Sequence, residues 1–147
     1  MKPWGKFLAV LCLFIQNNGW GQDPNDLIDF SFGVDTSTLS PGDSAWLVLE
    51  VNVSPGWHAY WKTAGETGYP TSIQWEVPDG VSVGKLKFPI PKIYEFQGLS
   101  SYVLEEKFSL LAKLDLDKSW EMGVPLLVKG QFSTLLCNEA NCLPFDA

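Results

Sequence analysis

The sequence of 147 residues contains no arginine, a single histidine and only three cysteines. Its ten basic residues are all lysines and are outnumbered by 17 acidic residues, so the net charge is −7. Nucleic-acid-binding proteins need clustered cationic side chains to neutralise phosphates, so this charge balance argues against nucleic acid as a partner. The Gly-x-Ser-x-Gly, phosphate-loop and His-Glu-x-x-His motifs are also absent, so three common kinds of catalytic site are not predicted.

The sequence is rich in apolar and aromatic residues. Hydrophobic residues make up 46%, with seven Trp, nine Phe and four Tyr. A chain of this composition can bury a hydrophobic core, so intrinsic disorder is not expected. The length is that of one domain.

Residues 1–21 have the features of a secretory signal peptide. Two lysines precede the nine-residue apolar run 7–15, and glycines stand at positions −3 and −1 of a cleavage site before Gln22. The run is far shorter than the ~20 residues that cross a bilayer. We predict a signal peptide over 1–21 and a mature domain over 22–147, with an uncleaved N-terminal anchor as the alternative.

Signal-peptide removal explains the odd number of cysteines. Cys12 lies in the apolar run, and Leu11 before it is not the small residue that a lipoprotein cleavage site requires. The mature chain keeps one pair, Cys137 and Cys142, and has a net charge of −9 because two lysines are lost. No later segment has 18 consecutive apolar residues, so no further membrane span is predicted. We expect a periplasmic or otherwise exported protein, in which the pair can form a disulfide.

Alternating apolar and polar residues predict an all-β protein. In 45–53 every odd position is apolar, as expected for a strand with one face in a core. Segment 88–92 contains two prolines and is interpreted as a connection or sheet edge, and Gly130 as a possible bulge. Short strands separated by turns predict an immunoglobulin-like β-sandwich. The eight predicted strands are 28–32, 45–53, 57–61, 72–76, 81–88, 101–104, 107–116 and 124–136.

The cysteine pair is the main candidate for chemistry. Cysteines five positions apart can face each other across a hairpin, and so short a ring stabilises a fold by only about 2 kcal/mol. The spacing is compatible with a structural disulfide and with a redox-active one. A zinc site is a weaker alternative, because Cys137, Cys142 and His58 supply three ligands where structural zinc needs four.

Other polar and aromatic residues have simpler interpretations. His58 is interpreted as a packed strand residue rather than a base, and the pair Glu105–Glu106 as a solvated edge. Trp57, Tyr60 and Trp61 either belong to the core or form a platform that stacks on sugars. An exported binding module with a structural disulfide therefore remains an alternative function.

Three segments carry a family resemblance. Segment 55–75, PGWHAYWKTAGETGYPTSIQW, has a Gly-Trp-His start, a Tyr-Trp, a Gly-acid-x-Gly loop, a Pro and a closing Trp. Segment 87–102, KFPIPKIYEFQGLSSY, is rich in proline at its start, and segment 135–144, LLCNEANCLP, holds the cysteine pair. In this order they resemble the periplasmic N-terminal domain of DsbD-type thiol:disulfide interchange proteins, over about 29–144.

The resemblance implies an immunoglobulin-like sandwich with a redox-active pair. Such a domain receives reducing equivalents from membrane-embedded and thioredoxin-like domains and reduces exported proteins, including disulfide isomerases and cytochrome c maturation factors. Thioredoxin-like proteins are thus the expected electron donors and acceptors, with no cofactor or metal, and we expect a monomer. By the family pattern Cys142 forms the mixed disulfide and Cys137 resolves it.

The family also shields its pair with a cap loop that bears an aromatic side chain. Here the loop 63–70 is the candidate, with its glycines as hinges. The candidate cap or shielding residues are Tyr69, Glu66, Tyr60 and Trp61. Because the sequence ends soon after Pro144, a final strand and the relay domains are not predicted within it, and we expect either a fragment of a longer protein or a stand-alone domain.

Overall fold

Two antiparallel sheets pack face to face in the computed structural model, which describes residues 22–147. The predicted signal peptide 1–21, with Cys12, lies outside the described residues. A single 3-10 turn, Pro24–Asp26, precedes ten strands in the described part of the chain. The architecture is an immunoglobulin-like β-sandwich, which confirms the predicted fold class. Within 22–147 no helix is long and apolar enough to cross a membrane.

The first sheet has four strands in the order β1-β2-β8-β5. They are β1 Ile28–Val34, β2 Ser44–Val53, β5 Val81–Val83 and β8 Lys107–Leu116. In the two central strands, β2 and β8, alternate side chains are buried, as the apolar alternation predicts. Their register places Leu49 opposite Leu110, and both side chains lie in the main core.

The second sheet has six strands and follows the order β10-β9-β3-β7-β6, with β4 paired to β9. They are β3 His58–Gly65, β4 Ser72–Glu76, β6 Lys92–Phe96, β7 Leu99–Glu105, β9 Lys129–Cys137 and β10 Cys142–Asp146. Strands β3 and β4 both pair with β9. Thr71 lies between their paired segments and has a buried hydroxyl. It donates to the Tyr60 carbonyl oxygen and lies 2.7 Å from the Thr134 hydroxyl.

The main core lies between the sheets and contains two of the three aromatics proposed as a sugar platform. Trp57 is buried there, and Trp61 packs against the same cluster while its indole N–H donates to the Pro89 carbonyl at 2.8 Å. Tyr60 belongs to a different cluster. The three rings therefore do not share one ligand-binding surface.

Two strands were not predicted from the sequence. Strand β6 begins directly after Pro91, in the segment interpreted as a connection, and β10 contains Pro144. Both lie at ends of the sheet, where proline costs no interior hydrogen bond. The strand pattern of these segments was therefore not recognised, because they contain or follow prolines, which a sheet tolerates only at an edge.

Several predicted strand bounds and one predicted bulge also differ in the structure. The predicted strand 81–88 ends at Val83, and the predicted strand 124–136 begins only at Lys129. Strand β3 continues to Gly65, into the predicted loop 63–70. Gly130 is not a bulge, since the β4–β9 register runs through it without a break. Its small size is needed because an added Cβ would lie 2.8 Å from the ring of Trp75, its partner across the strands.

Candidate functional site

A second apolar cluster covers the outer face of the second sheet. Strand alternation turns Ala59 and Leu136 into the main core, and turns their neighbours Tyr60 and Cys137 to the opposite face. The residues buried in this outer cluster are Tyr60, Ala64, Val103, Leu135 and Cys137, with Tyr94 packed against them. The sheet is thus covered on both faces at this point.

Cys137 and Cys142 form a disulfide at the end of the β9–β10 hairpin. They are direct register partners, with Cα atoms 4.1 Å apart. The turn between them is held by Asn138, whose side-chain oxygen accepts from the backbone N–H groups of Ala140 and Asn141 at 2.8 and 2.7 Å. Such an Asx turn fixes the hairpin locally, so the pair is positioned by its own segment.

The two cysteines differ sharply in burial. Cys137 is 2% exposed, whereas Cys142, on the outermost strand of the sheet, is exposed. Thiol–disulfide exchange requires access to the sulfur that is attacked. The geometry therefore favours attack from outside at Cys142, with Cys137 as the buried partner.

A cavity of about 290 Å³ contains both cysteines in its wall. The disulfide and the turn 138–141 form one side, and the hairpin that joins β6 to β7 forms another. Thr67 and Gly68, after β3, close a third side, and His58, Tyr60 and Ser101 line it from the sheet. The β6–β7 hairpin contributes Tyr94, Phe96 and Leu99.

The β6–β7 hairpin presents aromatic side chains to this cavity. Gln97 and Gly98, at its tip, have φ of 52° and 83°, the left-handed pair that a type I′ hairpin turn requires. The rings of Tyr94 and Phe96 stack with centroids 6.4 Å apart. Phe96 is 40% exposed and Leu99 43% exposed, so the tip of the hairpin lies at the mouth of the cavity.

The residues predicted to shield the pair are placed differently from one another. Tyr60 lines the cavity, whereas Trp61 packs on the main core. Glu66 ties its loop to β7, since its carboxylate accepts from the Ser100 N–H at 2.7 Å. Tyr69 is 44% exposed and does not line the cavity; desolvation, and secondarily Asp146, raise its pKa. Tyr94 and Phe96, rather than Tyr69, line the cavity beside the cysteine pair.

Two cysteines, a histidine and a glutamate form a row of four side chains across the second sheet. The register places Cys142 opposite Cys137, Cys137 opposite His58, and His58 opposite Glu105. His58 is 3% exposed, and its Nε2 has no hydrogen-bond partner in the described part of the chain. Burial lowers the pKa of His58, while the charge of Glu105 acts in the opposite direction.

The surroundings of the row are acidic. Glu105, Glu106 and Glu139 line a second cavity of about 460 Å³, which adjoins the first at His58 and Tyr94. The ammonium of Lys92 lies 2.8 Å from the Glu105 carboxylate. Desolvation raises the pKa of Tyr94, and Glu139 adds to this effect.

The residues proposed as alternative zinc ligands do not form a metal site in this structure. Cys137 and Cys142 are bonded to each other. Among residues 22–147 no three His, Cys, Asp or Glu side chains are grouped to hold a metal ion. The arrangement is instead a disulfide between a buried residue, Cys137, and an exposed one, Cys142.

Comparison with known proteins identifies the family. A model of the N-terminal domain of the thiol:disulfide interchange protein DsbD matches residues 29–147. The chain belongs to this family. None of the curated proteins compared with the chain matched it.

Solved structures similar to this chain include two N-terminal domains. The N-terminal periplasmic domain of ScsB from Proteus mirabilis aligns with a TM-score of 0.60 and 21% identity, over 88% of this chain and 48% of that one. The chain thus spans about half the length of that structure. The reduced N-terminal domain of Neisseria meningitidis DsbD aligns with a TM-score of 0.47 and 15% identity, over 85% and 89% of the two chains.

Sequence reasoning missed three residues of the cavity wall, namely Tyr94, Phe96 and Leu99. A signal for them was present. Gln97-Gly98 is a two-residue turn between segments with alternating aromatic and aliphatic residues, which is typical of a hairpin. The two prolines just before it led instead to the prediction of an extended connection.

Proposed function

We propose that this domain carries out thiol:disulfide exchange in the periplasm through the Cys137–Cys142 pair. The observation that carries the proposal is the contrast between the buried Cys137 and the exposed Cys142 within one shielded cavity. A purely structural cross-link has no need of an accessible sulfur. Family membership supports the same reaction class.

The exchange has two steps in the reducing direction. The Cys142 thiolate attacks a disulfide of the partner, so a mixed disulfide forms and one partner sulfur leaves as a thiolate. Cys137 then attacks the Cys142 sulfur, which closes the intramolecular disulfide and releases the partner as a dithiol. Two electrons pass from the domain to its partner, and a dithiol donor restores the reduced pair by the same steps in reverse.

The β6–β7 hairpin is proposed as the cap. Phe96 and Leu99 lie at the cavity mouth, where they limit the approach of small thiols and oxidants to the disulfide. A protein partner has enough contact area to displace or cover this tip, while a small molecule does not. This role assigns to Phe96 the function first predicted for Tyr69.

Family membership and the features of the sequence support finer assignments. We propose that the domain is exported by the signal peptide 1–21. Its donor is a thioredoxin-like domain supplied by a membrane relay, and the acceptors include disulfide isomerases and cytochrome c maturation factors. These partners carry exposed dithiols or disulfides, which the accessible Cys142 can reach.

Direct exchange with a thioredoxin-like protein tests the proposal. The oxidised domain is mixed with a reduced thioredoxin-like protein, quenched with acid, alkylated and weighed by mass spectrometry. Rapid labelling of Cys137 and Cys142 in the folded domain is expected, and the matched control is the double variant Cys137→Ser, Cys142→Ser. A pair that dithiothreitol reduces but the thioredoxin-like dithiol leaves oxidised contradicts the proposal.

A further inference from the structure

One group in the cross-strand row at the cysteine pair, His58, has no role in the exchange steps described above. His58 lies between Cys137 on β9 and Glu105 on β7. Direct register partners on adjacent antiparallel strands point to the same face, with Cβ atoms roughly 4.5–5.5 Å apart. The imidazole and the Cys137 sulfur are therefore neighbours, and both line the same cavity.

We propose that His58 accepts the proton of the Cys137 thiol when this cysteine attacks the mixed disulfide. The inference rests on the proposed exchange function and concerns its second step. It adds a proton acceptor next to the cysteine pair. The sequence provides no lysine or helix N-terminus beside these cysteines that would lower a thiol pKa.

The first support is the unused nitrogen of His58. Nε2 is buried and has no hydrogen-bond partner within residues 22–147. Buried polar atoms are nearly always paired, and an unpaired one calls for a functional or structural reason. A nitrogen that receives a proton only during turnover is such a reason.

The second support is the fixed position of the ring. His58 packs at 4.5 Å from the Tyr94 ring and 5.4 Å from the Tyr60 ring, measured between centroids. Burial keeps the pKa of His58 below its ordinary value, so the imidazole is neutral at pH 7 and has a free lone pair. The other groups around it are acidic or phenolic: Glu105, with Lys92 bound to it, Glu106, Glu139, Tyr94 and Tyr60.

The third support is the need for a base. Cys137 is 2% exposed, and a thiol in apolar surroundings forms its thiolate poorly. In the proposed step the S–H proton moves to the imidazole while the Cys137 sulfur bonds to Cys142. The Cys142–partner bond breaks, and the partner leaves with the electron pair. Glu105 stabilises the imidazolium across the strand, and the proton then passes to the departing thiolate or to water.

A coloured aromatic disulfide separates the two steps. The reduced domain is mixed by stopped flow with 5,5′-dithiobis(2-nitrobenzoate), which releases one coloured thiolate when Cys142 attacks and a second when Cys137 closes the ring. The rates are measured from about pH 5 to pH 9, a range that brackets the ordinary imidazole and thiol pKa values. The proteins compared are the wild type, His58→Gln and, as a control on the same strand, Lys62→Gln.

The expected result is a selective loss of the second phase. In His58→Gln the second release slows by about tenfold or more at pH 7, while the first release stays within about twofold of the wild type. The difference narrows at high pH, where the thiol ionises without help. Lys62→Gln behaves as the wild type in both phases. Equal second-phase rates and equal pH profiles in His58→Gln and the wild type overturn the inference.

The wild type alone keeps the inference testable if His58→Gln does not fold. Its second phase is expected to depend on a group that titrates below the ordinary thiol pKa of about 8.5, and dependence on the thiol alone overturns the inference. If the wild type releases only the first thiolate, the pair does not close, and the proposed function itself fails. The two failures are thus distinguishable.

Discussion

Cys137 and Cys142 face each other across the last hairpin of the chain, yet Cys137 is 2% exposed while Cys142 is exposed. The difference arises from position in the sheet, because Cys142 starts the outermost strand and Cys137 ends the strand inside it. Exchange chemistry needs one sulfur that a partner can reach and a second sulfur close enough to release the mixed disulfide. The hairpin supplies both from a segment of six residues.

Reduction of the disulfide is expected to leave the sandwich folded. A ring this short contributes about 2 kcal/mol to the free energy of unfolding, and β10 is also held by the buried Phe145 and by its register with β9. Urea titrations of the oxidised and reduced domain measure the difference. Unfolding upon reduction alone contradicts this expectation, and so does a stability loss several times larger.

Removal of the proposed cap is expected to expose the disulfide to small thiols. Phe96→Ala shortens the side chain at the cavity mouth, so reduction of Cys137–Cys142 by dithiothreitol accelerates several-fold. Tyr69→Ala is the matched control, because Tyr69 is similarly exposed but does not line the cavity. Stopped-flow measurement of the reduction rate compares the two variants. Faster reduction in Tyr69→Ala only would contradict this role for Phe96 and would indicate that the loop after β3 is the cap.

The fold was largely predictable because the central strands alternate cleanly. Ala45–Val53 is an example, with its apolar positions facing the core. The site was predictable only in part. Cys137 and Cys142 stand out by residue type, but the placement of His58 opposite Cys137 depends on pairing between distant strands, which no local pattern reveals. Tyr94 and Phe96 were hidden because prolines before an edge strand look the same as prolines in a connection.

Gly68 is expected to be intolerant of a side chain. Its φ is +73°, and an added Cβ would lie 2.3 Å from the Tyr60 ring in the cavity wall. Gly68→Ala should therefore lower the free energy of unfolding by about 1–3 kcal/mol. Gly33→Ala is the control, since nothing lies within 4 Å of its added Cβ. Equal stabilities of the two variants in urea titrations would show that the loop after β3 does not pack on Tyr60.

Stability should fall in mildly acidic solution because of His58. Burial lowers its pKa from 6.5 in the folded state, so the unfolded chain binds more protons below that pH. The free energy of unfolding therefore decreases as the pH drops below about 6.5, and the loss is complete below the folded-state pKa. His58→Gln is expected to flatten this part of the profile. An unchanged slope in the variant would mean that another group causes it.

Trapping of the mixed disulfide tests thiol:disulfide exchange most directly. Each single variant, Cys137→Ser and Cys142→Ser, is mixed with a thioredoxin-like protein that lacks its resolving cysteine. The remaining active-site cysteine of that protein is activated beforehand as a mixed disulfide with a small thiol. Covalent complexes are then counted on non-reducing gels. The exposed Cys142 should give a stable complex in Cys137→Ser, while the buried Cys137 in Cys142→Ser should give little or none. Equal complex formation by both variants, or none by Cys137→Ser while it remains folded, would contradict exchange through an exposed Cys142.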